Sequence, residues 1–176
     1  MTDHTRSTTD PQPATQTEEP DHDRIAVLHV EPDSRSAELL ATFAKRSAGP
    51  VVSVRSVDSM EAGLSAVGAA DCVVTEQRLS DGSGVTLVER LRADGRDVPV
   101  VFYTTCRSED AEARAFEAGA DAYFEKRSTR GQHDRLLDRI RALVDGKGAR
   151  YGRTGSIVSG GSPSSASSPK RLTSEE

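Results

Sequence analysis

The chain has 176 residues, 35% hydrophobic, with no Trp and a formal net charge of −5, enough for one ordinary domain with tails but thin for two cores. The acidic balance argues against general nucleic-acid binding. No apolar run nears the ~18 residues of a membrane span, and the N-terminus lacks a secretory core, so a soluble cytoplasmic protein without membrane or nucleic-acid partners is expected.

Residues 1–23 are rich in Pro, Thr, Asp and Glu and almost without apolar side chains, so a disordered acidic tail is expected there. RIAVLHV (24–30) is nearly all apolar, as a strand buried on both faces must be. The following segment offers Asp33 or Ser34 as a helix N-cap. Ala37, Leu40 and Phe43 then recur at helical spacing, and Lys45 and Arg46 close the last turn. VVSVRS (51–56) reads as a second strand, and Asp58 with Glu61 resembles the capping box of a short helix ending near Gly68. A third strand, DCVVTE (71–76), leads to a helix over about 85–92, with Val85, Val88 and Leu91 on one face. DVPVVFYT (97–104) is the fourth strand, followed by a helix capped by Ser108 and stopped at Gly119. DAYFEK (121–126) is a short fifth strand. A last helix over roughly 132–144 is followed, from residue 147 to 176, by a flexible Gly/Ser-rich tail.

Strict alternation of five strands and five helices across residues 24–146 argues for one α/β domain around a doubly wound parallel sheet. Ligands of such sheets bind outside the carboxyl ends of the strands. The residues there are Glu31, Pro32 and Asp33 after the first strand, Glu76 after the third, Thr104 at the end of the fourth and Lys126 after the fifth. Two acids, a hydroxyl and a lysine in one crevice suit a phosphate or metal site, because carboxylates hold Mg²⁺, a hydroxyl donates to phosphoryl oxygens and an ammonium neutralises them. Three side chains nearby have plainer expectations: His29 as a strand histidine with a hydrogen-bonded ring, His133 facing solvent, and Tyr103 packed at a strand end. Cys72 and Cys106 lack metal-ligand spacing and read as small core or loop residues.

In VLHVEPDSRSAELLATF, DCVVTEQRLSDGSGVTLVERLR, PVVFYTT and AFEAGADAYFEK the core resembles the receiver domain of two-component response regulators. That resemblance implies a flavodoxin-like (βα)5 fold, phosphoryl transfer from a histidine kinase onto an aspartate with Mg²⁺, and a switch through a hydroxyl and an aromatic. Thr104 matches the switch hydroxyl, Tyr123 the switch aromatic and Lys126 the phosphate-facing lysine. The departures lie in the acids. Glu76 occupies the phosphoacceptor position, and Glu31 with Pro32 replaces a pair of Mg²⁺-binding acids. The candidate metal ligands that remain are Glu31, Glu76 and the carbonyl of Arg78, with Asp33 acting through water. A Mg²⁺ site is therefore expected to be weak or absent.

The resulting expectation is a non-enzymatic pseudo-receiver that signals by binding a histidine kinase or another signalling protein, or a second copy through the face of the fourth helix, fifth strand and fifth helix. The alternative is a receiver phosphorylated at Glu76 or a neighbouring acid. A small α/β enzyme ranks last, for want of a Gly-rich phosphate loop, a GxSxG elbow and a Ser/His/Asp set.

Overall fold

The computed structural model describes residues 24–151. The expectations for residues 1–23 and 152–176 lie outside the described residues. Five strands form the central sheet: β1 (Arg24–Val30), β2 (Val51–Val57), β3 (Cys72–Thr75), β4 (Val100–Thr104) and β5 (Ala122–Glu125). They lie in the order β2-β1-β3-β4-β5 and are parallel throughout. The helices are α1 (Ser34–Arg46), α2 (Met60–Ala66), α3 (Gly84–Ala93), α4 (Glu109–Ala118) and α5 (Gln132–Tyr151).

Side chains of a strand alternate between the two faces, and here both faces are filled. Ile25, Val27, Val52, Cys72, Val74, Val101 and Tyr103 pack with Leu40 and Ala44 of α1 and with Leu136, Leu137 and Ile140 of α5. Leu28, Val30, Val73, Val100 and Phe102 pack on the opposite face with Met60, Leu87, Val88, Leu91 and Ala115. The chain order reverses between β1 and β3, so the crevice at the topological switch opens where Glu31 and Glu76 leave their strands.

Local differences from the sequence reading have physical causes. Asp33 is the α1 cap, accepting from Ser36 N–H at 3.0 Å, but Phe43 stands 41% exposed while Ala44 takes the buried position. Ser59, not Asp58, caps α2, and Asp81 receives the N–H groups of Met60 and Glu61 from across a turn at 2.7 and 3.0 Å. A two-residue ladder, Arg78–Leu79 against Gly82–Ser83, shapes that turn. β4 begins at Val100 rather than at residue 97, because Pro99 has no N–H to give the ladder. Ser108 stands at the N-cap of α4 without a side-chain cap bond, while Gly119 ends the helix in the left-handed region as expected (φ 106°). α5 continues to Tyr151, past both the expected end at Val144 and the tail boundary at 147, since extending a formed helix costs little.

Candidate functional site

The carboxyl ends of β1, β3 and β4 and the residue after β5 meet in one polar cluster whose side chains are nearly buried. Glu31 is 4%, Glu76 6% and Thr104 0% exposed. Glu31 continues β1, its N–H bonded to the Val57 carbonyl at 2.8 Å, and its Oε1 accepts from the Asp33 N–H at 3.0 Å. Glu76 is held at the end of β3 by its own N–H on the Val30 carbonyl at 3.0 Å. Lys126 follows β5, its backbone N–H bonded to the Thr104 carbonyl at 2.6 Å, which points the side chain back over the crevice.

Glu76 gathers donors on both oxygens. Oε1 accepts from the Thr104 hydroxyl and from the Gln77 N–H at 2.6 Å. Oε2 accepts from the Thr105 N–H at 3.1 Å and from Lys126 Nζ at 3.0 Å. Lys126 Nζ also bonds Glu31 Oε2, so one ammonium bridges the two carboxylates. Burial alone would raise the Glu76 carboxyl, but the Thr104 hydroxyl and the Lys126 ammonium outweigh it and hold the group below the usual carboxylate range. For Lys126, burial is outweighed by its bonds to Glu31 and Glu76, and its ammonium is held above the usual range. Both shifts favour the charged pair.

Thr104 passes the contact onward, its Oγ1 accepting from the Cys106 N–H at 3.0 Å. The Cys106 carbonyl in turn accepts from the Tyr123 hydroxyl at 3.0 Å, and the Tyr123 ring stacks on Phe102 with centroids 5.6 Å apart. Glu31, Glu76, Thr104 and Lys126 are thus in one network, and Tyr123 is joined to it through the Cys106 backbone. Asp33 touches the cluster through its backbone, while its carboxylate caps α1. Arg78 is exposed and pairs with Ser83 in the short ladder, outside the polar contacts of the cluster.

Sequence reading missed three parts of this site. His29 lies fully buried, and neither of its ring nitrogens has a hydrogen-bond partner among the described residues, in contrast to the hydrogen-bonded ring expected. Its Nε2 stands 3.8 Å from Glu31 Oε2. Burial, and then the nearby Lys126 charge, push the imidazole down to about 3 against a smaller upward pull from Glu76, so the ring is neutral. His133 is not solvent-facing: it stacks on Phe43 at 4.0 Å and meets the Tyr103 hydroxyl at 3.1 Å, beneath Lys126, whose Nζ lies 5.4 Å from the Tyr103 ring centroid. Gly84 brings the start of α3 against the Glu76 carbonyl, where a Cβ would come within 2.6 Å of that oxygen and 2.6 Å of Phe102 Cε1. The bare sequence signal for that approach is only the pair of glycines after Glu76.

A family profile described as the response regulator receiver domain matches residues 27–141, and the chain belongs to that family. Among solved structures, the chain is similar to the receiver domain of Francisella response regulator 1452 (18% identity, TM-score 0.62, covering 70% of this chain and 98% of that one). It is similar also to a two-component response regulator from Clostridium difficile (21%, TM-score 0.60, 75% and 99%). A third is the BeF3-activated N-terminal receiver domain of RstA from Klebsiella pneumoniae (22%, TM-score 0.60, 68% and 97%). Comparison with curated protein sequences returns no match. The fold is the flavodoxin-like receiver fold, and receiver domains are signalling domains. Among the described residues no helix is long and apolar enough to cross a membrane.

Proposed function

We propose that this receiver signals by binding other proteins without being phosphorylated, with Glu76 supplying a fixed negative charge in place of a transferred phosphoryl group. The saturation of Glu76 carries this reading. A carboxylate offers about four lone-pair sites, and here Thr104, Gln77, Thr105 and Lys126 all donate to it. In-line attack on phosphorus needs a free lone pair aimed along the reaction axis, and a misplacement of about an ångström costs on the order of 10²-fold. Thr104, the Thr105 N–H and Lys126 are the donors that would stabilise phosphoryl oxygens, and Glu76 engages all three from within.

The same geometry speaks against a resident metal. Mg²⁺ needs several oxygens at octahedral positions, whereas the Lys126 ammonium lies between Glu31 and Glu76 and Pro32 supplies no carboxylate. The residues present do not suit Mg²⁺, and the protein works without one and without catalysing a reaction. Output runs through Tyr123, whose hydroxyl bond to Cys106 ties the face of α4, β5 and α5 to the Thr104 segment. That face carries Glu112 of α4, Glu125 of β5 and Arg135 and Arg139 of α5, which suits a partner protein of mixed surface charge: a histidine kinase, another signalling protein or a second copy.

The test is radiolabelled acetyl phosphate with Mg²⁺, offered to the wild type and to a variant carrying both Pro32→Asp and Glu76→Asp. The wild type should stay unlabelled while the double variant takes up label. Label on Glu76 or a neighbouring acid of the wild type would replace this reading with that of a phosphorylatable receiver.

A further inference from the structure

Among the described residues β2 lies at the edge of the sheet and pairs along its whole length with β1 on one side only. The Val57 carbonyl accepts from the Glu31 N–H, and the N–H and C=O of one strand residue point the same way. Val51, Ser53, Arg55 and Val57 therefore direct their backbone groups at β1, and Val52, Val54 and Ser56 direct theirs outward along the free edge. The devices that usually guard such an edge are sparse. The strand holds no Pro and a single charge, Arg55, and Val51, at 55%, is the most exposed of the large hydrophobic side chains among the described residues.

We propose that β2 pairs antiparallel with β2 of a second copy about a two-fold axis at Val54, joining the two sheets into one. The inference rests on the fold and leaves the face of α4, β5 and α5 free. In this register Val54 meets itself, Val52 meets Ser56, Ser53 meets Arg55 and Val51 meets Val57. The outward-facing residues Val52, Val54 and Ser56 fall in the hydrogen-bonded pairs, so each orphan donor finds an acceptor. Arg55 never faces its own copy, and exposed Val51 gains an apolar neighbour.

Charge at the strand ends selects the antiparallel direction. Lys45 and Arg46 close α1 just before β2, and Lys45 lines a groove of about 260 Å³ beside Val51, Val52, Ser53 and Val54. Asp58 follows β2 and is exposed. Antiparallel pairing carries Asp58 of the second copy to the position opposite Pro50, at the Lys45 end, and does so twice by symmetry. Parallel pairing would set basic end on basic end. Residues 1–23 are the competing occupant, since they lead into Arg24, the first residue of β1 and the register partner of Val51. Their Pro11, Pro13 and Pro20 and their many acids make them poor material for a strand.

Sedimentation velocity on the full chain, from micromolar to near-millimolar concentration, should show a monomer–dimer equilibrium. Ser53 is exposed, so Ser53→Arg and Ser53→Glu should both fold, which circular dichroism checks. Ser53→Arg sets arginine against Arg55 on both sides of the axis and should weaken association about tenfold, whereas Ser53→Glu should tighten it. A protein monomeric at every concentration would overturn the proposal, and so would a dimer that neither variant shifts. Edge amides of β2 that resist exchange in a monomer, only while residues 1–23 are present, would assign the edge to that segment instead.

Discussion

A glutamate carboxylate reaches roughly 1.5 Å beyond that of an aspartate, and at the end of β3 this reach lets Glu76 meet Thr104, Thr105 and Lys126 together. Glu76→Gln should lower stability to denaturant at pH 7 by about 1–3 kcal/mol, less than a fully broken buried pair because Lys126 keeps Glu31. An unchanged midpoint would mean the network contributes no stability. The stability due to Glu76 is present above its unfolded pKa and is lost as pH falls through its depressed folded value; that due to Lys126 is lost only as pH rises through its raised value. His29 acts in the window between them. It is held neutral, with a folded pKa of about 3 against an ordinary 6.5, so the unfolded chain binds the extra proton as pH drops below 6.5. The wild type should therefore lose about 2 kcal/mol between pH 7 and pH 5, and His29→Leu should flatten that limb in denaturation measured across pH. Gly84→Ala drives a methyl into the Glu76 carbonyl and Phe102 and should cost about 1–3 kcal/mol in the same assay. Glu31, Glu76, Thr104 and Lys126 were legible because each stands at a strand end. The close approach at Gly84 was not, since it depends on Phe102 from a different strand. For His29, an apolar neighbourhood announces burial but not the absence of a partner.

Secondary structure was legible wherever one residue type carried the signal. Asp33 capping α1 and Gly119 ending α4 are local events, and their physics lies within a few residues. The capping of α2 misled, because Ser59 is the cap and the Asp81 carboxylate, from a distant turn, accepts the first N–H groups of the helix, which leaves Asp58 without that task. Arg92 is a second long-range tie that periodicity cannot show. From α3 its guanidinium donates to the carbonyls of Arg96 and Val98 at 2.8 and 2.9 Å and to that of Gly119 at 2.8 Å, joining the ends of α3 and α4 to the approach of β4. A lysine is a point donor without that fork, so Arg92→Lys should cost about 1–2 kcal/mol in urea. Hydrogen exchange should show earlier loss of protection at the ends of α3 and α4. Unaltered exchange there would make the tie ornamental.

For the molecule as a whole, the class of fold followed from alternation alone: apolar runs too short for helices, amphipathic segments between them and acids at the strand ends. The strand order and the two-sided core then brought residues from four separate segments into one crevice. What periodicity could not show is that Lys126 lies between the two carboxylates, a matter of side-chain direction rather than of spacing. Under the function proposed above, this internal cation and internal anion take the places of an external metal and phosphoryl group. The amide spectrum of the full chain, recorded during titration with Mg²⁺ and then with beryllofluoride, tests this most directly. A self-contained site leaves the resonances of Glu31, Glu76, Thr104 and Lys126 unmoved in a well-folded spectrum. Saturating shifts at those residues would contradict it and restore a working phosphoacceptor.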